Sequence, residues 1–291
     1  MRILLIGASG QLGSELLRQN PGHEIVAPGR EVLDLTRPDE AVALIERLRP
    51  EVVINCAAFH NVPKCEDEPA QAFLINFVAV RELAMACAAC GIRFVTFSSD
   101  YVFGGERATP WLESDQPSPL QIYGMTRLAG EYAALAAKPE SAVVIRTCGL
   151  YGLTGARSKG GNFVDMRVAE ALRGQSIEMA CEQRVIPTAA ADLAQAAYQL
   201  IGHPPLQPGI YHLVNEGACS WYEFTCEIVR LIGASVKVLP VDRGGRTGAM
   251  RRPLYSVLAN TRARAMGIVL RPWQSALAAY LKAKYPEIQS P

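Results

Sequence analysis

The stretch Ile3-Leu4-Leu5-Ile6-Gly7-Ala8-Ser9-Gly10-Gln11-Leu12-Gly13 constrains this chain more than any other. Its four apolar residues form a short run of the kind buried on both faces of a parallel sheet. Glycines then recur at every third position, 7, 10 and 13, and Leu12, Leu16 and Leu17 open a helical pattern. Strand, glycine turn and helix start, in that order, describe a site for a dinucleotide pyrophosphate. The turn needs residues that tolerate unusual dihedrals and let the backbone approach the phosphates. The helix N-terminus then offers free N–H groups and a favourable dipole to the anion. The spacing is GxxGxxG rather than GxGxxG. The alternative is a glycine-rich turn without a ligand, and the strand-to-helix context argues against it.

Beyond that loop, short apolar runs alternate with helical patterns. Glu24-Ile25-Val26-Ala27, Glu51 to Asn55, Arg93 to Phe97 and Ala142 to Arg146 read as strands. Ala41, Leu44, Ile45 and Leu48 form a helical stripe, with Thr36-x-x-Asp39 resembling its capping box. Further helices are expected over about 70–90 and 123–137, and residues 98–121 read as a loop rich in Pro, Ser and Gly. This rhythm predicts an α/β fold with a doubly wound parallel (Rossmann) sheet. The expected division is a dinucleotide-binding domain over 1–150, joined by about 183–212, and a smaller C-terminal α/β substrate domain, mainly 151–291. In that second part, a glycine-containing loop over 149–161 precedes a helix with Phe163, Met166 and Ala169 inward. Another helix carries Leu193, Ala197 and Ile201. Ser220-x-x-Glu223 is a second capping box, and Pro272 opens a last helix with Trp273, Leu277 and Leu281 on one stripe.

Composition bounds the function classes. With 291 residues, 49% hydrophobic and 20% charged, the chain is an ordinary globular one with room for a large core. A net charge of +1 gives no electrostatic case for a nucleic acid or membrane surface. The apolar residues before Gly7 are too few for a signal peptide, and no apolar run approaches the roughly 20 residues that span a bilayer. A cytoplasmic location is expected. Several of the eight cysteines sit inside apolar runs, where a free thiol behaves as a small hydrophobe. Cys87-x-x-Cys90 lies in an alanine-rich helical stretch with no second pair, so it reads as packing. The four histidines are scattered, and no metal site is predicted.

Two stretches carry candidate chemistry. Ser98-Ser99-Asp100 places hydroxyls at the carboxyl end of a strand, the edge where a doubly wound sheet puts its ligands. Tyr123 and Arg127 are one turn apart at the start of a helix and share a face. A phenol beside a fixed cation makes a general acid, because the positive charge favours the phenolate. Ser99 and Tyr123 together can hydrogen-bond a carbonyl oxygen that becomes negative as hydride arrives. Taken singly, Ser99 also reads as a turn residue and Tyr123 as a core aromatic.

At this point the sequence resembles a known family. GASGQLG, INCAAF (54–59), SSDYVF (98–103), SPLQIYG (118–124), RTCGLYG (146–152), GIYHL (209–213), SWYEF (220–224) and RRPLYSVL (251–258) look like the dTDP-4-dehydrorhamnose reductases, which are extended short-chain reductases. The matches run in order from residue 1 to about 275. The resemblance implies a Ser/Thr–Tyr–Lys catalytic set, a nicotinamide cofactor and a nucleotide-sugar substrate. Carried over by position, Ser99 polarises the ketone and Tyr123 donates the proton. Gly7, Gly10, Gln11 and Leu12 hold pyrophosphate, Cys56, Ala57 and Ala58 line the cofactor, and Asp34 and Leu35 lie beside the adenine. On the substrate side it implies Ser99, Asp100, Gly149, Asn162, Gln183 and Arg252; the planar fork of Arg252 suits a diphosphate. Some members hold Mg2+ at a dimer contact through acidic residues, for which Glu15 is the candidate here. A single carboxylate on a helix is more often a solvated charge.

The chain departs from the family pattern twice. Arg127 stands at the lysine position, where lysine depresses the tyrosine pKa, binds the nicotinamide ribose and joins a proton relay. Arginine keeps the charge and can still bind the ribose, but it does not release a proton near neutral pH. Gly149 stands where rhamnose-forming members commonly carry tryptophan, which predicts an open wall beside the sugar. Cofactor choice turns on Pro28-Gly29-Arg30. An acidic residue there would select NAD, whereas Arg30 can meet a 2′-phosphate, so NADPH is expected; if Arg30 is only a solvated surface residue, NADH serves as well. The resulting expectation is an NADPH-dependent reductase of the 4-keto group of a dTDP-deoxysugar, as a monomer or homodimer. The alternative, motivated by Arg127, is an NADP-binding regulatory or scaffold subunit, a role this fold serves in the regulatory subunit of methionine adenosyltransferase.

Overall fold

The computed structural model describes residues 1–105, 107–137, 141–155, 161–247 and 250–287. Part of the predicted loop over 149–161 therefore lies outside the described residues. Six strands form one wholly parallel sheet: β1 (Arg2–Ile6), β2 (Glu24–Val26), β3 (Val52–Asn55), β4 (Arg93–Ser99), β5 (Ala142–Thr147) and β6 (Gly209–His212). Their spatial order is β6-β5-β4-β3-β1-β2. The order reverses between β1 and β3, which opens a crevice at their carboxyl ends.

The apolar runs form this sheet because both of its faces are covered. Ile3, Leu5, Ile54, Val95, Phe97 and Val143 pack on Leu12 and Leu16 of the helix Gln11–Arg18 and on Leu193 and Ala197 of the helix Ala190–Gly202. Leu4, Ile6, Val53, Phe94 and Val144 face the other way, onto Ala41 and Ile45 of Pro38–Leu48 and onto Ala79, Leu83 and Cys87 of Ala79–Cys90. A separate core joins Tyr151, Val164, Val168, Phe224, Ile228, Trp273 and Leu277. The capping box at Ser220 and Glu223 starts the helix Trp221–Leu231 as expected.

The structure corrects several local expectations. The helix after β2 begins at Pro38 with Arg37 as its N-cap and no side-chain cap, so a proline at the first helical position, not Thr36, sets its start. In the helix Phe163–Leu172 the inward face is Val164, Val168 and Ala171, and Met166 is exposed. The stretch Pro69–Cys90 is, against expectation, one helix long and apolar enough to cross a membrane by length and composition. Its apolar side packs on the sheet, and Arg81 and Glu82 lie on it as an exposed pair. It also contains a single π turn, Leu74–Val78, inside which Asn76 is fully buried.

The helix Ile122–Ala137 packs closely on its neighbours. A Cβ on Gly124 would come within 2.1 Å of the Tyr101 carbonyl oxygen, and one on Gly130 within 2.2 Å of the Asn76 carbonyl oxygen. Both glycines are there because the helix touches its neighbours' backbone. On the same helix, Glu131 accepts two hydrogen bonds from Arg146 of β5, from Nε at 2.9 Å and from Nη2 at 2.6 Å, with both side chains 1% exposed. Breaking such a buried pair by removing one partner costs about 3–5 kcal/mol, whereas replacing both by apolar groups is often neutral. Arg146 Nη1 approaches His212 Nε2 at 3.5 Å, and His212 Nδ1 donates to the Ala259 carbonyl at 3.1 Å.

Burial pushes the His212 imidazole down to about 4, and the Arg146 charge adds to that. The ordinary value is about 6.5, so His212 is neutral in the folded chain and charges on unfolding at mildly acidic pH. A folded-state pKa below the unfolded one means stability that is complete above about pH 6.5 and is lost as pH falls toward 4. Thermal unfolding midpoints measured across that window should fall, and His212→Gln should flatten the fall. An equally steep decline in the variant would show that His212 is not its source.

Candidate active site

At the carboxyl end of β1, Gly7 adopts φ +82°, a conformation that costs only glycine little. A Cβ on Gly7 would lie 2.7 Å from the Ala57 nitrogen, and one on Gly13 would lie 2.2 Å from the Gly7 carbonyl oxygen. The loop is thus folded against its own helix and against the segment that follows β3. Gly10 is the N-cap of the helix Gln11–Arg18 with no side-chain cap, so no cap side chain occupies the first-turn N–H groups. Gln11 Oε1 is buried without a partner, and Leu12 is buried in the core. Cys56, Ala57 and Ala58 stand opposite, where the strand order reverses. A backbone cradle that any side chain would fill, at a helix N-terminus, fits a dinucleotide pyrophosphate.

The adenosine side is set by the turn after β2. Arg30 is exposed, and its Nε lies 3.2 Å from Asp34 Oδ2. Asp34 Oδ1 accepts from the Thr36 N–H at 2.9 Å, and this hydrogen bond is the main reason its carboxyl lies below the usual range. Leu35 is buried against the sheet. Arg30 and Asp34, both predicted around the cofactor, therefore engage each other.

Across the crevice, β4 ends in Ser99, whose hydroxyl donates to Asp100 Oδ1 at 2.9 Å and accepts from the Tyr101 N–H at 3.2 Å. Tyr123, at the start of its helix, stands near Ser99 and lies under the charge of Arg127. Burial is nonetheless the largest influence on the phenol and raises its pKa, with Asp100 and Cys65 adding to the rise. Contrary to the expectation from Arg127 alone, the Tyr123 pKa is moved up rather than down, and the phenol keeps its proton. Arg127 is buried; its Nη1 donates to Asn76 Oδ1 at 3.4 Å and its Nε has no partner. Asn76 also accepts from the Phe59 N–H and donates to the Phe59 carbonyl and to Thr126 Oγ1.

The remaining predicted residues fall in different settings. The Asp100 carboxyl is buried and accepts from Ser99 and from the Cys148 thiol at 3.1 Å, and burial raises its pKa. Asn162 caps the helix Phe163–Leu172 and donates to the Gly152 carbonyl and to Tyr280, so its polar atoms are committed within the chain. Gln183 is buried and donates to Glu182 at 3.2 Å. Arg252 Nη1 donates to the Tyr101 hydroxyl at 2.8 Å, and the Tyr101 ring meets that of Tyr123 edge-on, with centroids 6.0 Å apart. The wall at Gly149 is not open: a Cβ there would meet Pro187 Cα at 3.1 Å, Ile186 O at 3.3 Å and the tip of Trp221 at 3.3 Å, and φ is +56°. Glu15, the one candidate for a metal, is buried and pairs with Arg18.

Sequence reading missed Asn76, Tyr101 and Cys148. Asn76 carried a signal, an amide inside the apolar run Leu74-Ile75-Asn76-Phe77-Val78. A polar residue there is buried and must find partners.

Removing the Arg127 charge removes the main influence that lowers the Tyr123 pKa. In a tyrosinate absorbance titration referenced to Tyr123→Phe, Arg127→Met should titrate at higher pH than the wild-type chain. An unchanged titration would mean that the guanidinium does not act on the phenol.

With this geometry in view, comparison with known proteins is direct. The profile of the family described as the RmlD substrate binding domain matches residues 1–285. A probable dTDP-4,6-dihydroxy-2-methyloxan-3-one 4-ketoreductase of Streptomyces antibioticus is 38% identical, over 99% of this chain and 96% of its own. A dTDP-4-dehydrorhamnose reductase of Streptomyces griseus is 37% identical, over 95% and 91%. A dTDP-4-dehydrorhamnose reductase of Bacillus anthracis, solved in complex with NADP, superposes with a TM-score of 0.89 at 32% identity, over 97% of this chain and 99% of that one. Match length, identity and shared architecture agree: this chain belongs to the RmlD family of dTDP-4-dehydrorhamnose reductases.

Proposed function

We propose that this chain is an NADPH-dependent reductase of the 4-keto group of a dTDP-deoxysugar, with dTDP-4-dehydro-L-rhamnose as substrate and dTDP-L-rhamnose as product. The observation that carries the reading is the convergence of Ser99, Tyr123 and Arg127 at the carboxyl edge of the sheet that also bears the glycine cradle. Relatives named for this chemistry, and one solved with NADP, support it. In this assignment residues 1–150, joined by about 183–212, bind the cofactor, and 151–291 mainly enclose the sugar nucleotide.

When bound, NADPH supplies the hydride to carbon 4. The chain's own residues do the rest. Gly7, Gly10, Gln11 and Leu12 hold the pyrophosphate, and Arg30, freed from Asp34, faces the 2′-phosphate. Ser99 turns its hydroxyl proton from Asp100 to the ketone oxygen, while the Tyr101 N–H keeps hold of the hydroxyl oxygen. Tyr123 gives its proton to that oxygen as it becomes an alkoxide, and burial keeps the proton on the phenol until then. Arg127, with its unpartnered Nε, hydrogen-bonds the nicotinamide ribose and stabilises the phenolate left behind. Arg252 faces the diphosphate.

Oxidation of NADPH followed by absorbance should depend on dTDP-4-dehydro-L-rhamnose and proceed faster than with other nucleotide 4-ketosugars. Tyr123→Phe should lower kcat by about 10²–10⁴-fold, the range for a lost general acid. A chain that binds both NADPH and the dTDP-sugar without oxidising the cofactor would overturn this reading.

Arg127 also motivates a second reading, a regulatory or scaffold subunit that binds NADP without turnover. The substitution Arg127→Lys separates the two. A gain in kcat identifies an enzyme slowed by arginine, whereas no turnover in either form, with a stable complex to another protein, identifies a scaffold.

A further inference from the structure

Two buried charges take no part in the steps above. Glu131 follows Tyr123 by eight residues and Arg127 by four on one helix, so the three share one stripe. Arg146 immediately precedes Thr147, which opposes Ser99 in the register of β4 and β5. The Glu131–Arg146 pair therefore joins the stripe that carries the proton donor to the strand beside the hydroxyl. Every edge of the guanidinium is used. Nε and Nη2 bind Glu131 at 2.9 and 2.6 Å, Nη1 meets His212 Nε2 at 3.5 Å, and the carbon of the head lies 5.0 Å from the centre of the Phe103 ring. His212 donates through Nδ1 to Ala259, which leaves Nε2 as the acceptor that Arg146 needs.

Apolar residues of similar volume would fill this space and keep the fold about as stable, so stability alone does not account for the pair. A forked pair does what apolar contacts do not. Its two parallel hydrogen bonds define distance and direction, so the helix cannot slide along the strand without breaking both. The glycine contacts at 124 and 130 bring the helix close to its neighbours, but they set depth rather than axial position.

We infer that Glu131 and Arg146 are a positioning pair for the catalytic helix. They set where Tyr123 and Arg127 stand along the ends of β4 and β5, and hence the separation of the phenol from Ser99 and from the carbonyl to be reduced. Neither residue touches the substrate. The inference rests on the assignment of Tyr123 as proton donor.

The test replaces the pair as a unit, Glu131→Leu with Arg146→Met, and measures unfolding midpoint, NADP affinity, KM and kcat. The expected variant unfolds within a few degrees of wild type, holds NADP and KM for the ketosugar within about threefold, and loses about 10²-fold in kcat, the size of effect a small misplacement of reacting groups produces. A folded double variant with wild-type kcat overturns the inference. If the double variant does not fold, Glu131→Asp takes its place, since it keeps the charge but shortens the tie by one methylene. Wild-type kcat in that folded variant overturns the inference equally. Should the wild-type chain bind NADP but reduce no ketosugar, the functional reading fails instead. The pair is then tested by the tyrosinate titration of Tyr123 in the NADP-bound chain: a shift in the double variant supports positioning, and no shift overturns it.

Discussion

The helix Ile122–Ala137 lies against the turn after β4 and against the helix Pro69–Cys90 so closely that two of its residues have no room for a side chain. Gly124 meets the Tyr101 carbonyl and Gly130 meets the Asn76 carbonyl, while Glu131 is clasped by Arg146. Tyr123 and Arg127 stand on this helix, and Ser99 and Asp100 stand at the end of the strand it covers. The phenol, the guanidinium and the Ser99 hydroxyl thus come together by the packing of two rigid elements. Sites built on helices and strands hold their geometry better than sites built on loops.

Around that contact the site combines two opposed electrostatic demands. The enclosure that excludes water raises the Tyr123 and Asp100 pKa values, because a charged form loses its hydration. The Arg127 charge acts the other way on the phenol. Burial prevails, so the phenol keeps its proton. Arginine at this position is supported by a fully buried amide, Asn76, held in a π turn by Phe59 and Thr126. Extra residues of this kind inside a helix often mark functional sites.

Much of the fold was legible in the residues. The runs Ile3–Ile6 and Val52–Ile54 are apolar throughout, the pattern of a strand covered on both faces. The capping box at Ser220 and Glu223 starts a helix from local hydrogen bonding alone. The failures share one cause. Met166 was placed inward by helical spacing, but which stripe of a helix faces the core depends on what lies beside it. Gly149 was taken to leave a gap, whereas Trp221, distant in sequence, lies beside it. Thr36 was taken as a cap because its spacing fitted, yet Pro38, with its fixed φ, starts the helix first.

The sequence by itself determined the parallel sheet and the glycine cradle at its reversal point. Those follow from periodicity and from the conformational freedom of glycine, both local properties. Only the tertiary structure decided the protonation of Tyr123, the partners of Arg127 and Asp100, and the tie between Glu131 and Arg146. Each of these depends on burial and on contacts between residues far apart in the chain. Solvation and hydrogen bonding act through space, and no spacing along the sequence records them.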